Sequence, residues 1–220
     1  MRIIILANES KNHDMITYTK ELQEKLSPDQ ALNILKEGNA RFLKGEKEER
    51  DLIEQAEITG KGQAPFATVL GCMDSRVSNE LIFDQGIGDI FSIRIAGNVV
   101  NDDIIGSLEF ATELVGTKVV LVLGHTKCGA VTGACNGVEM GKLTDVLSRV
   151  KPAIKAETQT TDNRTGDNAE FVSNVTRLNV ELTMQEITKQ SPIIKKLVDA
   201  GKVKIAGAIY HVEDGRVEFL

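Results

Sequence analysis

Two uniformly apolar runs, Phe66-Ala67-Thr68-Val69-Leu70 and Lys118 to Leu123, constrain the fold more than any other feature of this chain. Each is short for an amphipathic helix and too evenly apolar for a strand with one wet face, so each reads as a strand covered on both sides. Strands of that kind belong to parallel sheets, whose neighbours must be joined by crossovers, usually helical. The intervening sequence has the matching pattern. Ser27-Pro28-Asp29-Gln30 is a capping-box candidate with Pro at the first helical position, followed at helical spacing by Ala31, Leu35 and Phe42. Residues 44–62 are rich in charge and end in Gly60-Lys61-Gly62, the composition of a solvated connection. Asp89 to Arg94 reads as a second strand. Asn101 or Asp102 can cap a helix that turns Ile104, Leu108, Ala111 and Val115 to the core and stops at Gly116. Further helices are expected over 141–156, 168–189 and 192–200, the last stopped by Gly201, and strands over Val203 to Ile209 and Val217 to Leu220. Together these predict an α/β fold: a central, mostly parallel sheet with right-handed crossovers, flanked by helices.

With 220 residues, 41% hydrophobic and 26% charged, the chain can bury one sizeable core, and one domain is expected. A net charge of −6, with no basic stripe and no interleaved aromatics, argues against a nucleic-acid partner. Met1 to Ala7 is apolar but shorter than a signal core and is soon followed by Glu9, Lys11 and Asp14, so it reads as an extra strand or an ordered arm. No stretch approaches the ~20 apolar residues that span a bilayer, so no membrane partner is expected. Three cysteines are few and odd in number, which suits a reducing, cytoplasmic compartment where thiols serve as ligands.

The chemistry lies where the two buried runs end. Gly71-Cys72-Met73-Asp74-Ser75-Arg76 follows the first, and Gly124-His125-Thr126-Lys127-Cys128-Gly129 follows the second. In an open α/β sheet that edge is where ligands bind. Cys72, His125 and Cys128 are therefore candidate zinc ligands, and three without a fourth is the count of a catalytic site, which leaves one position for water. That points to a hydrolase or hydratase. Cys135 has no companion and reads as a core thiol, while His13 and His211 are isolated and read as surface or satisfied histidines. Asp74 stands two residues from a candidate ligand, close enough to accept a hydrogen bond from metal-bound water. Arg76 can grip it bidentately and so keep it from closing the site as a fourth ligand.

Cys-x-Asp-x-Arg followed some fifty residues on by His-x-x-Cys, here Cys72, Asp74, Arg76, His125 and Cys128, resembles the pattern of the β-class carbonic anhydrases. The likeness extends to Gly38 to Phe42, Gln63-Ala64-Pro65-Phe66, Arg94 to Asn98, Ser191-Pro192-Ile193 and Gly207 to Tyr210, and covers roughly residues 27–220 as one zinc domain, with 1–26 as an amino-terminal extension. It implies four parallel strands plus an antiparallel one, an amino-terminal helical arm, one Zn2+ per subunit, and a homodimer, often doubled to a homotetramer, with pockets at the subunit interface. It implies a lyase that hydrates carbon dioxide reversibly to bicarbonate, by zinc-bound hydroxide oriented by Asp74 and Arg76. Carried over by position, Gln63 would donate to substrate, Phe91 and Ala96 would line the pocket, and the Gly129 N–H would meet a bicarbonate oxygen. Some members bind inhibitory bicarbonate through a Trp, an Arg and a Tyr; here Arg94 matches, but the chain has no Trp and Phe110 stands at the tyrosine position. Two other readings share the residues: a carbon disulfide or carbonyl sulfide hydrolase on the same scaffold, and a non-catalytic zinc-binding protein.

Overall fold

The computed structural model describes residues 17–220; the readings of Met1 to Ala7 and of His13 lie outside the described residues. Five strands form one sheet: β1 (Ala67–Gly71), β2 (Ile90–Arg94), β3 (Val119–His125), β4 (Lys204–Tyr210) and β5 (Val217–Phe219). Their order is β2-β1-β3-β4-β5. β1 pairs in parallel with β2 and β3, β3 in parallel with β4, and β5 closes the sheet antiparallel to β4. Every residue of β1 and β3 is buried, as the uniform apolar runs require.

The helices in chain order are α1 (Lys20–Lys25), α2 (Pro28–Lys44), α3 (Leu52–Thr59), α4 (Asn79–Ile82), α5 (Asp102–Glu109), α6 (Gly129–Cys135), α7 (Leu143–Ser148), α8 (Lys151–Ala156), α9 (Ala169–Gln190) and α10 (Pro192–Asp199). On one face of the sheet Ala31 and Leu35 of α2 and Ile82 of α4 pack with Val69, Val119, Leu121 and Ala208. On the other, Leu108 of α5, Val180 and Ile187 of α9 and Ile194 of α10 cover Leu70, Val120, Val122 and Ile209. The result is a three-layer α/β/α arrangement. At Gly124 α9 comes so close that an added Cβ would sit 2.6 Å from Val180 Cγ2, so the end of β3 must be bare for the helix to seat.

The capping box forms as expected: Gln30 N–H donates to Ser27 Oγ at 3.2 Å and Ser27 N–H donates to Gln30 Oε1 at 2.8 Å. Asn39 on α2 joins three elements, donating to the carbonyls of Ile82 and Gly215 and accepting from Val217 N–H. Part of the amino-terminal extension is tied to the core, since Gln23 on α1 donates to Pro65 O at 2.7 Å and the Tyr18 ring lies 4.8 Å from Phe66.

Three expectations need correction. The connection over 44–62 contains α3, capped by Asp51, whose carboxylate accepts from Ile53 and Glu54 N–H. The helix over 141–156 is two helices. Pro152 is accommodated only in the first turn of a helix, because further in its ring would clash with the preceding turn, so α8 begins anew beside it. The helix after Asn101 does start there, with Asn101 Oδ1 accepting from Ile104 N–H, and Gly116 ends it in the left-handed region. Its last segment, Phe110–Val115, is a wider π turn, however. Ile105, Leu108, Ala111 and Thr112 are buried, while Ile104 and Val115 are only partly so.

Candidate metal centre

β1 and β3 are neighbours in register, Gly71 opposite Leu123, so the residues that follow them arrive side by side at the carboxyl edge of the sheet. Cys72 comes first after β1 and His125 ends β3. The turn beyond places Lys127 at φ 55°, a left-handed conformation costly for a residue with a Cβ, and this reversal brings Cys128 back towards His125. The candidate ligand atoms of Cys72, His125 and Cys128 all lie within 4.8 Å of one another, and all three residues are buried.

The donor set fits a metal. The two sulfurs stand 3.9 Å apart; two thiolates on a tetrahedral zinc, at about 2.3 Å each, would be about 3.8 Å apart. His125 Nδ1 lies 2.9 Å from the Thr126 carbonyl, which can only accept, so Nδ1 carries the proton and Nε2 presents its lone pair. That Nε2 is buried with no hydrogen-bond partner in the protein, the condition of an atom whose partner is something else. The cysteines act as one acid. Cys72 is pulled down, chiefly by the Cys128 thiol and, against burial, by the Gly97 and Asp74 backbone. Cys128 is pushed up, chiefly by its bond to Cys72 and then by burial and like charge. Both can be anions together only if a cation sits between them.

Asp74 and Arg76 form the expected fork. Arg76 Nε donates to Asp74 Oδ1 at 2.9 Å, Arg76 Nη2 to Oδ2 at 2.8 Å and the Arg76 backbone N–H to Oδ1 at 3.0 Å. Arg76 Nη2 also reaches the Lys127 carbonyl at 3.2 Å, tying the two ligand loops together. These bonds, the guanidinium's above all, hold the Asp74 carboxyl well below the usual carboxylate range. Asp74 Oδ2 nevertheless lies only 4.0 Å from His125 Nε2.

Other expected site residues fall at different places. Ala96, partly buried, opens the turn Ala96–Asn98, and Gly129 opens α6 directly after Cys128. Phe91 is half-buried on β2 opposite Thr68, three positions back from the Gly71–Arg94 pair at the carboxyl edge, with its ring 6.3 Å from Phe110. Gln63 is exposed and precedes the amino end of β1. Within one chain, then, Phe91 and Gln63 are set back from the edge that carries the trio. Cys135 is half-buried against the apolar cluster around Cys72 and Cys128, where burial raises its thiol to about 11. His211 pairs with Arg216 and Glu218.

Sequence reasoning missed two supports. Arg94 donates from Nε to the Cys72 carbonyl at 3.1 Å and from Nη2 to the Asp74 carbonyl at 2.6 Å, so in this structure its guanidinium braces the ligand loop. Gly97 N–H donates to Cys72 Sγ at 3.4 Å, and Asn179 Nδ2 donates to the Gly97 carbonyl at 2.9 Å. A lone Asn among valines and threonines on the buried face of α9 was the available signal.

The family model described as carbonic anhydrase matches residues 67–217. A carbonic anhydrase of Mycolicibacterium smegmatis is 35% identical over 199 residues, covering 87% of this chain and 93% of the relative. Carbonic anhydrase 2 of Mycobacterium tuberculosis is 34% identical over 196 residues, covering 86% and 91%. The chain belongs to the carbonic anhydrase family and is a carbonic anhydrase. Its class follows from solved structures. One of two β-carbonic anhydrases of Sordaria macrospora described as tetrameric aligns with a TM-score of 0.65 at 26% identity, over 74% of this chain and 84% of that one. The β-carbonic anhydrase CafA of Aspergillus fumigatus aligns at 0.67 and 26%, over 87% and 89%. This chain is of the β class, and the mixed five-stranded sheet agrees. Among the described residues no helix is long and apolar enough to cross a membrane.

Proposed function

We propose that the protein catalyses the reversible hydration of carbon dioxide to bicarbonate and a proton with one zinc ion held by Cys72, His125 and Cys128. The observation that carries this reading is the buried, partnerless Nε2 of His125 beside a thiol pair at tetrahedral-zinc spacing, with the nearest carboxylate gripped by an arginine instead of closing the site. Zinc bound there supplies Lewis-acid activation of water near neutral pH.

The chain's residues do the rest. Asp74, ionised and acceptor-only, takes a hydrogen bond from the attacking water and fixes which lone pair faces the carbon. Arg76 holds Asp74 in that position. Ala96 offers an apolar wall beside the trio, and the Gly129 N–H donates to a bicarbonate oxygen. Phe91 and Gln63 join the pocket from a second copy of the chain, which makes a homodimer, or a tetramer built from it, the working unit. A reducing, cytoplasmic setting keeps Cys72 and Cys128 available as ligands. Zinc content measured together with stopped-flow hydration across pH tests the reading. The expected result is one zinc per chain and activity that rises on the alkaline side of neutral; stoichiometric zinc without alkaline hydration would overturn it.

A further inference from the structure

Gly97 N–H, 3.4 Å from Cys72 Sγ, comes from outside the cysteine's own loop, and the turn that carries it is closed by a backbone bond from Asn98 N–H to the Ile95 carbonyl at 3.0 Å. Gly97 sits at φ 73° and Asn98 at φ 45°, two left-handed residues in succession just past the end of β2. The strand ladder does not reach them. Asn179 does: from the middle of α9, where it is 3% exposed, its amide donates to the Gly97 carbonyl at 2.9 Å. α9 is itself seated on the sheet by the close approach of Val180 to Gly124, so the amide is carried by a rigid element.

We propose that Asn179 is a positioning residue of the metal centre: by holding the Gly97 carbonyl it keeps the Gly97 N–H aimed at the Cys72 sulfur. This rests on the trio being the metal site. A hydrogen bond to a ligating thiolate draws electron density from the sulfur, so the metal keeps more of its positive charge. Two thiolates would otherwise leave the metal comparatively electron-rich and its water less acidic. Asn179 thus acts from a distance on the pH at which the enzyme works, without touching substrate or metal.

The test compares the parent with Asn179→Ala after cobalt substitution, reading the thiolate-to-cobalt charge-transfer band, and after zinc loading, reading hydration against pH. In the variant the band is expected to move to longer wavelength, because the sulfur lone pairs are no longer stabilised. The alkaline limb should move to higher pH and hydration at neutral pH should fall about tenfold, the low end of what outer-shell partners of metal ligands contribute. In parent protein loaded with an NMR-active cadmium isotope, the Gly97 amide proton should couple to the metal through the sulfur, and the variant should lose that coupling. An unmoved band and an unmoved pH limb in a variant that is merely less stable would overturn the proposal, as would absence of the Gly97 coupling in the parent. If the alanine chain does not fold, Asn179→Leu, of similar size but with no donor, is read in the same way, and an unmoved band there overturns it too. A parent that takes up no cobalt would instead refute the metal reading and this inference with it.

Discussion

Removing the Arg76 guanidinium tests whether the Asp74–Arg76 pair is a gate or a surface ion pair. In Arg76→Ala the backbone N–H to Asp74 Oδ1 remains, but the two guanidinium bonds at 2.9 and 2.8 Å are lost. Asp74 Oδ2 lies 4.0 Å from His125 Nε2, whereas two ligands on one tetrahedral zinc at about 2.1 Å each stand about 3.4 Å apart. The carboxylate is therefore within roughly 0.6 Å of a ligand's spacing from His125, while the guanidinium binds both of its oxygens. The loss removes two of the three bonds that hold the Asp74 carboxylate, and outer-shell partners of this kind at metal sites are worth about 10–100-fold in activity. The balance between free and ligating Asp74 therefore moves towards the ligating form. Stopped-flow hydration by Arg76→Ala should fall by about tenfold or more while metal content stays at one per chain, because a fourth ligand does not expel the metal. A simple exposed ion pair would cost at most about 1 kcal/mol of stability and nothing in turnover. Full metal with hydration within about twofold of the parent would refute the gate.

Cys72→Ser or Cys128→Ser is expected to lose both metal and activity, since a hydroxyl replaces thiolate poorly at a soft site, whereas Cys135→Ser should keep both; metal analysis of the three variants decides the ligand set. Gln63→Ala should retain metal and thermal stability but lower hydration, and activity equal to the parent's would remove Gln63 from the pocket. The depressed pKa of Asp74 means that the stabilisation it gains from Arg76 is present in full above the unfolded value of about 4 and is lost only as pH falls through the lower folded value. Loss of activity on acidification above about pH 5 is therefore expected without protonation of Asp74, and a carboxyl NMR titration of Asp74 in that range would contradict this. Ser27→Ala should cost about 1 kcal/mol through the lost capping box, read as a lower Tm with unchanged hydration.

Which parts of this protein are legible in its sequence follows from whether a residue's role is local. β1 and β3 show themselves because burial on both faces demands apolar side chains at every position, and α2 because its first turn carries its own cap. The trio is legible for a related reason: strand ends in a parallel sheet converge whatever the loops do, so spacing along the chain translates into proximity. α3 inverts the usual pattern. Its Ile53 is 74% exposed while Gln55 is fully buried and accepts from Ile87 N–H, so no apolar stripe marks the helix. The π turn after Glu109 is equally silent, because one extra residue per turn alters which side chains face inward without altering composition. Arg94 and Asn179 were missed for a deeper reason. Each serves the site by binding backbone carbonyls, of Cys72, Asp74 and Gly97, and a carbonyl is the same at every position of the chain. Side chains that meet metal or substrate are chosen by chemistry and can be read from residue type. Those that aim the backbone around them are chosen by geometry, and only the fold shows where they point.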